Sequence, residues 1–387
     1  MTHYHPQSPD LAPDDLARLR FVAELRNQLH NRLGEGNRAL YETHLAQLTD
    51  GDLKGASASA RREELRAQME EQPYFQAWSS LLRSSQDLMW RFVDQAVEND
   101  LPRLEAQVSD RDDGLGSLEL DATLETPVYL LSADTHRMPG SYFRQSSDTD
   151  LRAGALYDLG SAIYQFGRGN QGGGLLNDSR GRTTVAHLRR FFPDLDPARI
   201  LDLGCAAGQN TLPLADAFPQ ARVDAIDIGA PMLRYALVRA RGLGRAIHFS
   251  QRNAEATGFE DQSFDLVVSQ ILLHETSPHA TRNILREAWR LLRPGGVAVH
   301  LEVPTRFDRL DVFDQFLKSW EQYYNGEPNT AGVAAADLAG EMKTIGFTEV
   351  RSGFQAILPA GSNDPAMLLE SPPAGGRSLY LVSGMRC

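Results

Sequence analysis

Only two of the 387 residues are cysteine, Cys205 and Cys387, so neither a disulfide framework nor a cysteine metal cluster holds this chain together. Basic residues are also in short supply. Against 51 Asp and Glu stand 39 Lys and Arg, giving a formal net charge of −12 and a pI near 5.3. A field of that sign repels phosphate, which excludes a general nucleic-acid or anionic-membrane binder. No apolar run approaches the ~18 residues of a membrane-spanning helix. Met1–Asp10 has no basic start followed by an apolar segment, so no secretion signal is expected and the expected location is cytoplasmic. Internal repeats and low-complexity tracts are missing too. What remains is the composition of an ordinary globular protein, 42% hydrophobic and 23% charged. At roughly 100–200 residues per domain, the length suggests two or three domains.

The first 150 residues read as mainly helical. Leu16, Leu19, Val22, Leu25, Leu29 and Leu33 recur every three or four residues from Pro13, and Gly34 marks a stop. A shorter helix is expected over 37–48, a Gly/Ser hinge over 51–59 and a further helix over 61–71. After Pro73, a stripe of Phe75, Trp78, Leu82, Met89, Phe92 and Ala96 is nearly heptad. It needs a partner, either a helix of this chain or a second copy, so a homodimer through these helices is one expectation. Residues 105–116 read as a linker, and the alternation across 118–131 as one or two strands.

From residue 151 the pattern changes to short β-rich runs at 199–203, 222–227, 246–251, 264–269, 297–303, 347–358 and 378–385. Helix-length segments separate the first five, which favours parallel strands joined by right-handed crossovers. A loop without clear helix separates the last two, which are expected to pair antiparallel. The expected fold is therefore α/β: a Rossmann-like seven-stranded sheet, five strands parallel plus a closing hairpin, over 151–387, with a helical accessory domain over 1–150.

The chemistry concentrates in Arg199-Ile-Leu-Asp-Leu-Gly-Cys-Ala-Ala-Gly-Gln-Asn210. A buried strand ends in a loop with Gly204 and Gly208, and a helix follows. Glycine there lets backbone approach a ligand closely, and the helix start supplies free N–H groups. Ala206 stands where a dinucleotide fingerprint has its second glycine, and Gln209 where it has its third. A diphosphate fits poorly; an amino-acid tail fits. Twenty-three residues after Gly204, Asp227 closes the second strand, where an acid accepts hydrogen bonds from a ribose diol; its ordinary structural role would be a helix N-cap.

With Asn253-Ala-Glu255, Ser263-Phe-Asp-Leu-Val-Val-Ser269 and Arg290-Leu-Leu-Arg-Pro-Gly-Gly296 following in order, the chain resembles the class I S-adenosylmethionine (SAM) methyltransferases, in particular the ubiquinone/menaquinone C-methyltransferase-like branch. The resemblance covers about 161–303 and loosely the closing hairpin. It implies SAM as cofactor. It places the methionine end on Asp202 and the loop at Gly204, Ala206 and Gly208, and the ribose on Asp227 with Ile228. The adenine falls to Asn253 and Ala254, with Gln270 beside the site. Asn253 departs from the commoner Asp, but its amide oxygen still accepts from an amine.

The segment after the fourth strand, Ser269-Gln-Ile-Leu-Leu-His274-Glu275, faces the transferable methyl in this fold. It lacks the Asn/Asp-Pro-Pro-Tyr of the branches that methylate amides and nucleobases, so a small, partly apolar acceptor is expected. His274 is the expected general base and Glu275 its orienting partner; the ordinary alternatives are a strand-end polar residue and a helix cap. A metal set of His274, Glu275, His279, His300 and Glu302 matches no established ligand spacing, and no metal is expected. Tyr164, ahead of the glycine-rich 169–174, and Trp320, Tyr323 and Tyr324, on an aromatic helical stripe that also reads as core, are the expected acceptor contacts. Two other functions stay open: a catalytically silent SAM-binding scaffold, and an NAD(P)-dependent oxidoreductase, which the missing third glycine disfavours.

Overall fold

The computed structural model describes residues 5, 7–45, 57–109, 114–167, 176–303, 306–368 and 378–387; the glycine-rich stretch 169–174 and most of the 51–59 hinge lie outside the described residues. Eight strands form one sheet: β1 (Ser117–Glu119), β2 (Arg199–Leu203), β3 (Arg222–Asp227), β4 (His248–Gln251), β5 (Phe264–Gln270), β6 (Leu292–Glu302), β7 (Phe347–Ala356) and β8 (Ser378–Arg386). Their order is β1-β4-β3-β2-β5-β6-β8-β7. The first six are parallel, and β8 inserts antiparallel between β6 and β7. All seven strands read from the sequence are present. The eighth, β1, is the part of the 118–131 alternation that pairs; Val128–Leu130 forms a single 3-10 turn instead. Gly116 allows β1 to dock, because a Cβ there would lie 2.1 Å from the Ile247 carbonyl oxygen.

Alternate residues of the central strands feed two cores, as a parallel sheet covered on both faces requires. Ile200, Val223, Leu266 and Val299 face the helices Ser179–Phe191 and Ala230–Gly242. Leu201, Ile226, Val267 and Ala298 face Pro278–Leu291 and Leu338–Ile345. Strand order reverses on either side of β2, and in open α/β sheets the crevice at such a point is where ligands sit.

The N-terminal helices pack on this body as a further layer. The helix Pro73–Ser109 runs through Pro102 into the stretch expected as a linker; Leu104, 1% exposed, holds that end in the core. The Phe75–Ala96 stripe is covered by the chain itself. Phe75, Trp78 and Leu82 pack on Phe313, Phe316 and Trp320 of the helix Val312–Asn325. Met89, Val93 and Ala96 join the core shared with the helices Pro13–His30 and Arg152–Gly167. The surface that raised the dimer expectation is thus used within one chain. Among the described residues, no helix is long and apolar enough to cross a membrane.

One buried carboxylate ties the layers together. Asp158, on the helix Arg152–Gly167, accepts from Tyr235 Oη at 2.8 Å and from Gln209 Nε2 at 2.7 Å, with Arg239 Nε 3.7 Å away and His5 Nε2 at 2.5 Å. Burial works against the Asp158 charge, but Arg239, His5 and Gln209 outweigh it and hold the carboxyl well below its ordinary range. Asp158→Asn leaves Arg239, 1% exposed, without its charge partner, and we expect urea denaturation to show a loss of about 3–5 kcal/mol. A loss below about 1 kcal/mol, the worth of an exposed pair, would show that this node adds little.

Candidate active site

Beyond β2 the chain alternates through left-handed backbone at Gly204 (φ 68°), Ala206 (φ 48°) and Gly208 (φ 72°). A Cβ on Gly204 would lie 2.6 Å from Leu272 Cδ1, so the loop closes against the segment after β5 only with glycine there. Asp227 fixes the loop to the end of β3. Its Oδ2 accepts from the Ala206 N–H at 3.0 Å and its Oδ1 from the Gly229 N–H at 2.9 Å. Burial raises the Asp227 pKa, opposed by these N–H groups.

A cleft of about 880 Å³, its open mouth included, lies over this loop. Asp202, Gly204, Ala206, Asp227, Ile228, Asn253, Ala254 and Gln270 all line it, so the structure gathers every expected cofactor residue except Gly208. Gly208 instead faces Phe249, 3.4 Å from where a Cβ would stand, and serves the loop's turn. Three features fit the amino-acid end of SAM. Asp202, held by Thr211 Oγ1 at 2.6 Å, is pushed up to about 7 by burial and, more weakly, by the Asp227 charge, a state that a cation relieves. Gln270 Oε1 is buried with no hydrogen-bond partner among the described residues. Gly204 presents bare backbone in the lining. Asn253 Oδ1 accepts from the Glu255 N–H at 2.9 Å, and Glu255 in turn accepts from Tyr129 Oη at 3.1 Å and Asn283 Nδ2 at 2.9 Å.

Tyr129, Leu130, Tyr142, Tyr157, Glu275, Thr276 and Ile284 also line the cleft, as do Arg252 and Ile271. Tyr129 and Leu130 belong to the 118–131 run expected as strand, and Tyr142 to the following stretch, 132–150, which has no legible period. The expected aromatic contacts lie elsewhere. Trp320, 3% exposed, stacks with Trp78 at 5.0 Å in the helical core; Tyr324 packs on Trp320 at 4.8 Å, and Tyr323 is 72% exposed. The stripe is core because the helix Pro73–Ser109 covers it. Tyr164 stands outside the lining, its hydroxyl accepting from Asn325 Nδ2 at 3.1 Å.

His274 is 1% exposed and also outside the lining. Its Nδ1 is 2.9 Å from Glu302 Oε2, and its Nε2 faces Glu275 Oε1 at 3.4 Å and Glu327 Oε1 at 3.9 Å. His136, far away in sequence, brings Nε2 to 3.2 Å from Glu275 Oε1 and Nδ1 to 3.3 Å from Glu327 Oε1. Burial opposes the His274 charge, but Glu302 and Glu275 raise its pKa well above the ordinary value. Tyr142 Oη donates to Glu275 Oε1 at 3.1 Å. Glu275 is therefore the member of this cluster that reaches the cleft, and His274 stands behind it.

A family model described as a methyltransferase domain matches residues 200–296. Trans-aconitate 2-methyltransferase of Deinococcus radiodurans is 29% identical over 185 residues, 44% of this chain and 68% of that protein. Demethylmenaquinone methyltransferase of Thermus thermophilus is 35% identical over 148 residues, 38% of this chain and 61% of that protein. Among solved structures, phosphoethanolamine N-methyltransferase 2 of Haemonchus contortus with S-adenosyl-L-methionine aligns with a TM-score of 0.39 at 18% identity, over 52% of this chain and 51% of that one. With the strand order and the residues expected to hold the cofactor lining one cleft, the chain carries a class I SAM-dependent methyltransferase domain, an enzyme whose cofactor is S-adenosyl-L-methionine.

Proposed function

We propose that this enzyme methylates a small, partly apolar acceptor held between Tyr142, Tyr157 and Glu275. The observation that carries the reading is the division of the cleft. Asp202, Asp227, Asn253 and Gln270, with the polar Gln209, Asn210 and Arg252, gather where a cofactor's polar groups are expected, and the wall around Tyr129, Leu130, Tyr142, Tyr157 and Ile284 is mainly aromatic and aliphatic with one carboxylate, Glu275. SAM, when bound, supplies a methyl group on a sulfonium, already activated for transfer. The protein's work is then alignment and exclusion of water. Tyr129 and Leu130 help to wall the cleft, and the edge-on Tyr142 and Tyr157 rings, 5.8 Å apart, offer an apolar surface. Where the acceptor must lose a proton, Glu275 is the group placed to receive it; the role expected of His274 becomes that of a positioning residue, because it meets Glu275 and Glu302 rather than the cleft. Residues 1–150 act in this reading as the accessory part of the acceptor pocket, since they supply Tyr129, Leu130 and Tyr142.

Three measurements test it. Asp227→Ala should weaken both SAM and S-adenosylhomocysteine by about 2 kcal/mol or more in calorimetry, because the ribose hydroxyls lose a charged acceptor. Equal affinities would remove that residue from the site, and NADH binding in place of SAM would overturn the whole reading. The raised pKa of Asp202, about 7, sets a pH dependence. A cofactor ammonium prefers the ionised carboxylate, so affinity should fall as pH drops through 7, by about tenfold per unit well below it. Asp202→Asn should bind more weakly at pH 7.5 and lose that slope. In the empty protein the sign reverses: the raised pKa contributes stability that is present at acid pH and is lost as pH rises through 7. Finally, methyl-labelled SAM incubated with pooled small metabolites should yield a labelled product. Glu275→Gln should lower its rate by about a hundredfold while SAM affinity holds. No labelled product, or an unchanged rate in the variant, would contradict the proposal.

A further inference from the structure

We propose that His136, His274, Glu275 and Glu327 form a site for one divalent first-row transition-metal ion at the acceptor end of the cleft. One ligand-capable atom from each of the four lies within 4.8 Å of the other three. The separations are the argument. His136 Nε2 to Glu275 Oε1 is 3.2 Å, His274 Nε2 to Glu275 Oε1 is 3.4 Å and His274 Nε2 to Glu327 Oε1 is 3.9 Å; Glu327 Oε1 also lies 3.3 Å from Nδ1, the other nitrogen of His136, which cannot bind the same ion as Nε2. A charge-assisted N–H···O hydrogen bond shortens to about 2.7–2.9 Å, and the neighbouring His274 Nδ1 contact to Glu302 Oε2, at 2.9 Å, shows this cluster reaching that length where a proton is shared. The wider spacings instead match the edges of a polyhedron whose bonds to a central ion are about 2.0–2.2 Å.

The surroundings orient the four groups as ligands. Glu302 holds His274 by Nδ1, which leaves Nε2 to face Glu275 and Glu327; Glu302 is itself fixed by the Leu273 N–H at 2.6 Å and the Val303 N–H at 3.2 Å. A ligating histidine anchored through its second nitrogen by a carboxylate is the usual arrangement at metal sites. The His136 carbonyl accepts from both Gln86 Nε2 and Trp90 Nε1 at 2.7 Å, which pins the backbone that carries its ring. Asn325 Nδ2 donates to Glu327 Oε2 at 2.6 Å, leaving Oε1 towards the histidines. Two imidazoles with two carboxylates suit zinc, iron(II), manganese or cobalt rather than the all-oxygen preference of magnesium or calcium. The sequence hides the site because its members are far apart along the chain, on the arm after β1, the segment after β5 and the loop after the helix Val312–Asn325.

That such an ion would face the acceptor rests on the methyl-transfer reading, through Glu275 in the cleft wall; its binding does not. The full-length protein, stripped with a chelator, should take up one equivalent of Zn2+ by calorimetry, and one Co2+ with a visible d–d band. His136→Ala and Glu327→Gln should each lower Zn2+ affinity by at least about a hundredfold, and Glu302→Gln, which meets the four ligands only at the far nitrogen of His274, by about 10–100-fold. SAM affinity measured on the same samples should stay within threefold, about 0.65 kcal/mol, which separates loss of the site from loss of the fold. No stoichiometric uptake at millimolar Zn2+, or equal affinity in His136→Ala and Glu327→Gln, would overturn the proposal and leave the cluster as a proton-sharing network. Stoichiometric binding without any labelled methyl product would support the metal site and remove the methyl-transfer reading instead.

Discussion

The place of the glycine loop depends on a charge buried at the seam between the helices and the sheet. Asp158 receives Gln209 from the loop, Tyr235 from the helix Ala230–Gly242 and His5 from the chain's start, with Arg239 supplying the opposite charge. A carboxylate at that depth is costly unless its lone pairs are filled, and here each filling group comes from a different segment. The loop after β2 cannot move without stripping a partner from a buried ion. The helical layer and the cofactor cleft are thus mechanically one object, and the core shared by Leu19, Trp90, Leu156, Met232 and Tyr235 gives the same coupling in apolar form.

Backbone strain gathers around this seam. Ala206 and Ile271 both line the cleft and both hold positive φ, 48° and 58°. For a β-branched residue such as Ile271 this is costly, of order 1–3 kcal/mol, and it persists because the Ile271 N–H is held by the Leu301 carbonyl at 2.7 Å. The strained residues sit where β2 and β5 deliver the chain into the cleft, the point at which the sheet order reverses. His136 and Arg137, at 54° and 59°, hold positive φ as well, on the arm between Tyr129 and Tyr142. A preorganised wall is what the proposed methyl transfer, which rests on alignment, would call for.

The sheet was legible because its strands are buried on both faces, so 199–203 and 222–227 read as short β-rich runs of Ile, Leu, Val and Ala that carry an acid. The cofactor side was legible for a related reason: Gly204, Asp227 and Asn253 lie at successive strand ends, and their spacing is local to each βα unit. Three things were not legible. β1 is three residues long and gains its strand character only from pairing with β4. The part of the arm bearing His136 and Tyr142 has little regular structure, so no periodicity could announce it, and the alternation around Tyr129 reads as strand where a 3-10 turn forms. The stripe on the helix Val312–Asn325 has one signature for two roles, pocket wall or core, and only the position of Phe75 and Trp78 decides between them. His274 shows the same limit in a single residue: its place after β5 predicts nearness to the methyl group, while the rotamer that turns it towards Glu302 rather than the cleft is a tertiary fact.

The arrangement also explains why an accessory layer exists at all. A parallel sheet alone binds a cofactor along its strand ends but leaves the other side of the crevice to solvent. The edge strand β1 extends the sheet on the adenine side, where Glu119 meets Arg252, itself in the cleft wall, at 3.3 Å. From that anchor the chain crosses the cleft, contributes Tyr129 and Leu130, and is caught on the far side by Gln86 and Trp90 through the His136 carbonyl. The long helix Pro73–Ser109 supplies both of those donors, and its length follows from this double duty: its first turns pack on Phe316 and Trp320, its middle clamps the arm, and its last turns bury Leu104. Apolar burial fixes the helix, the helix fixes the arm, and the arm turns an open crevice into a cleft with an enclosed polar end. Under the proposed methyl transfer, selectivity for one acceptor would therefore reside in the residues that the sheet does not supply.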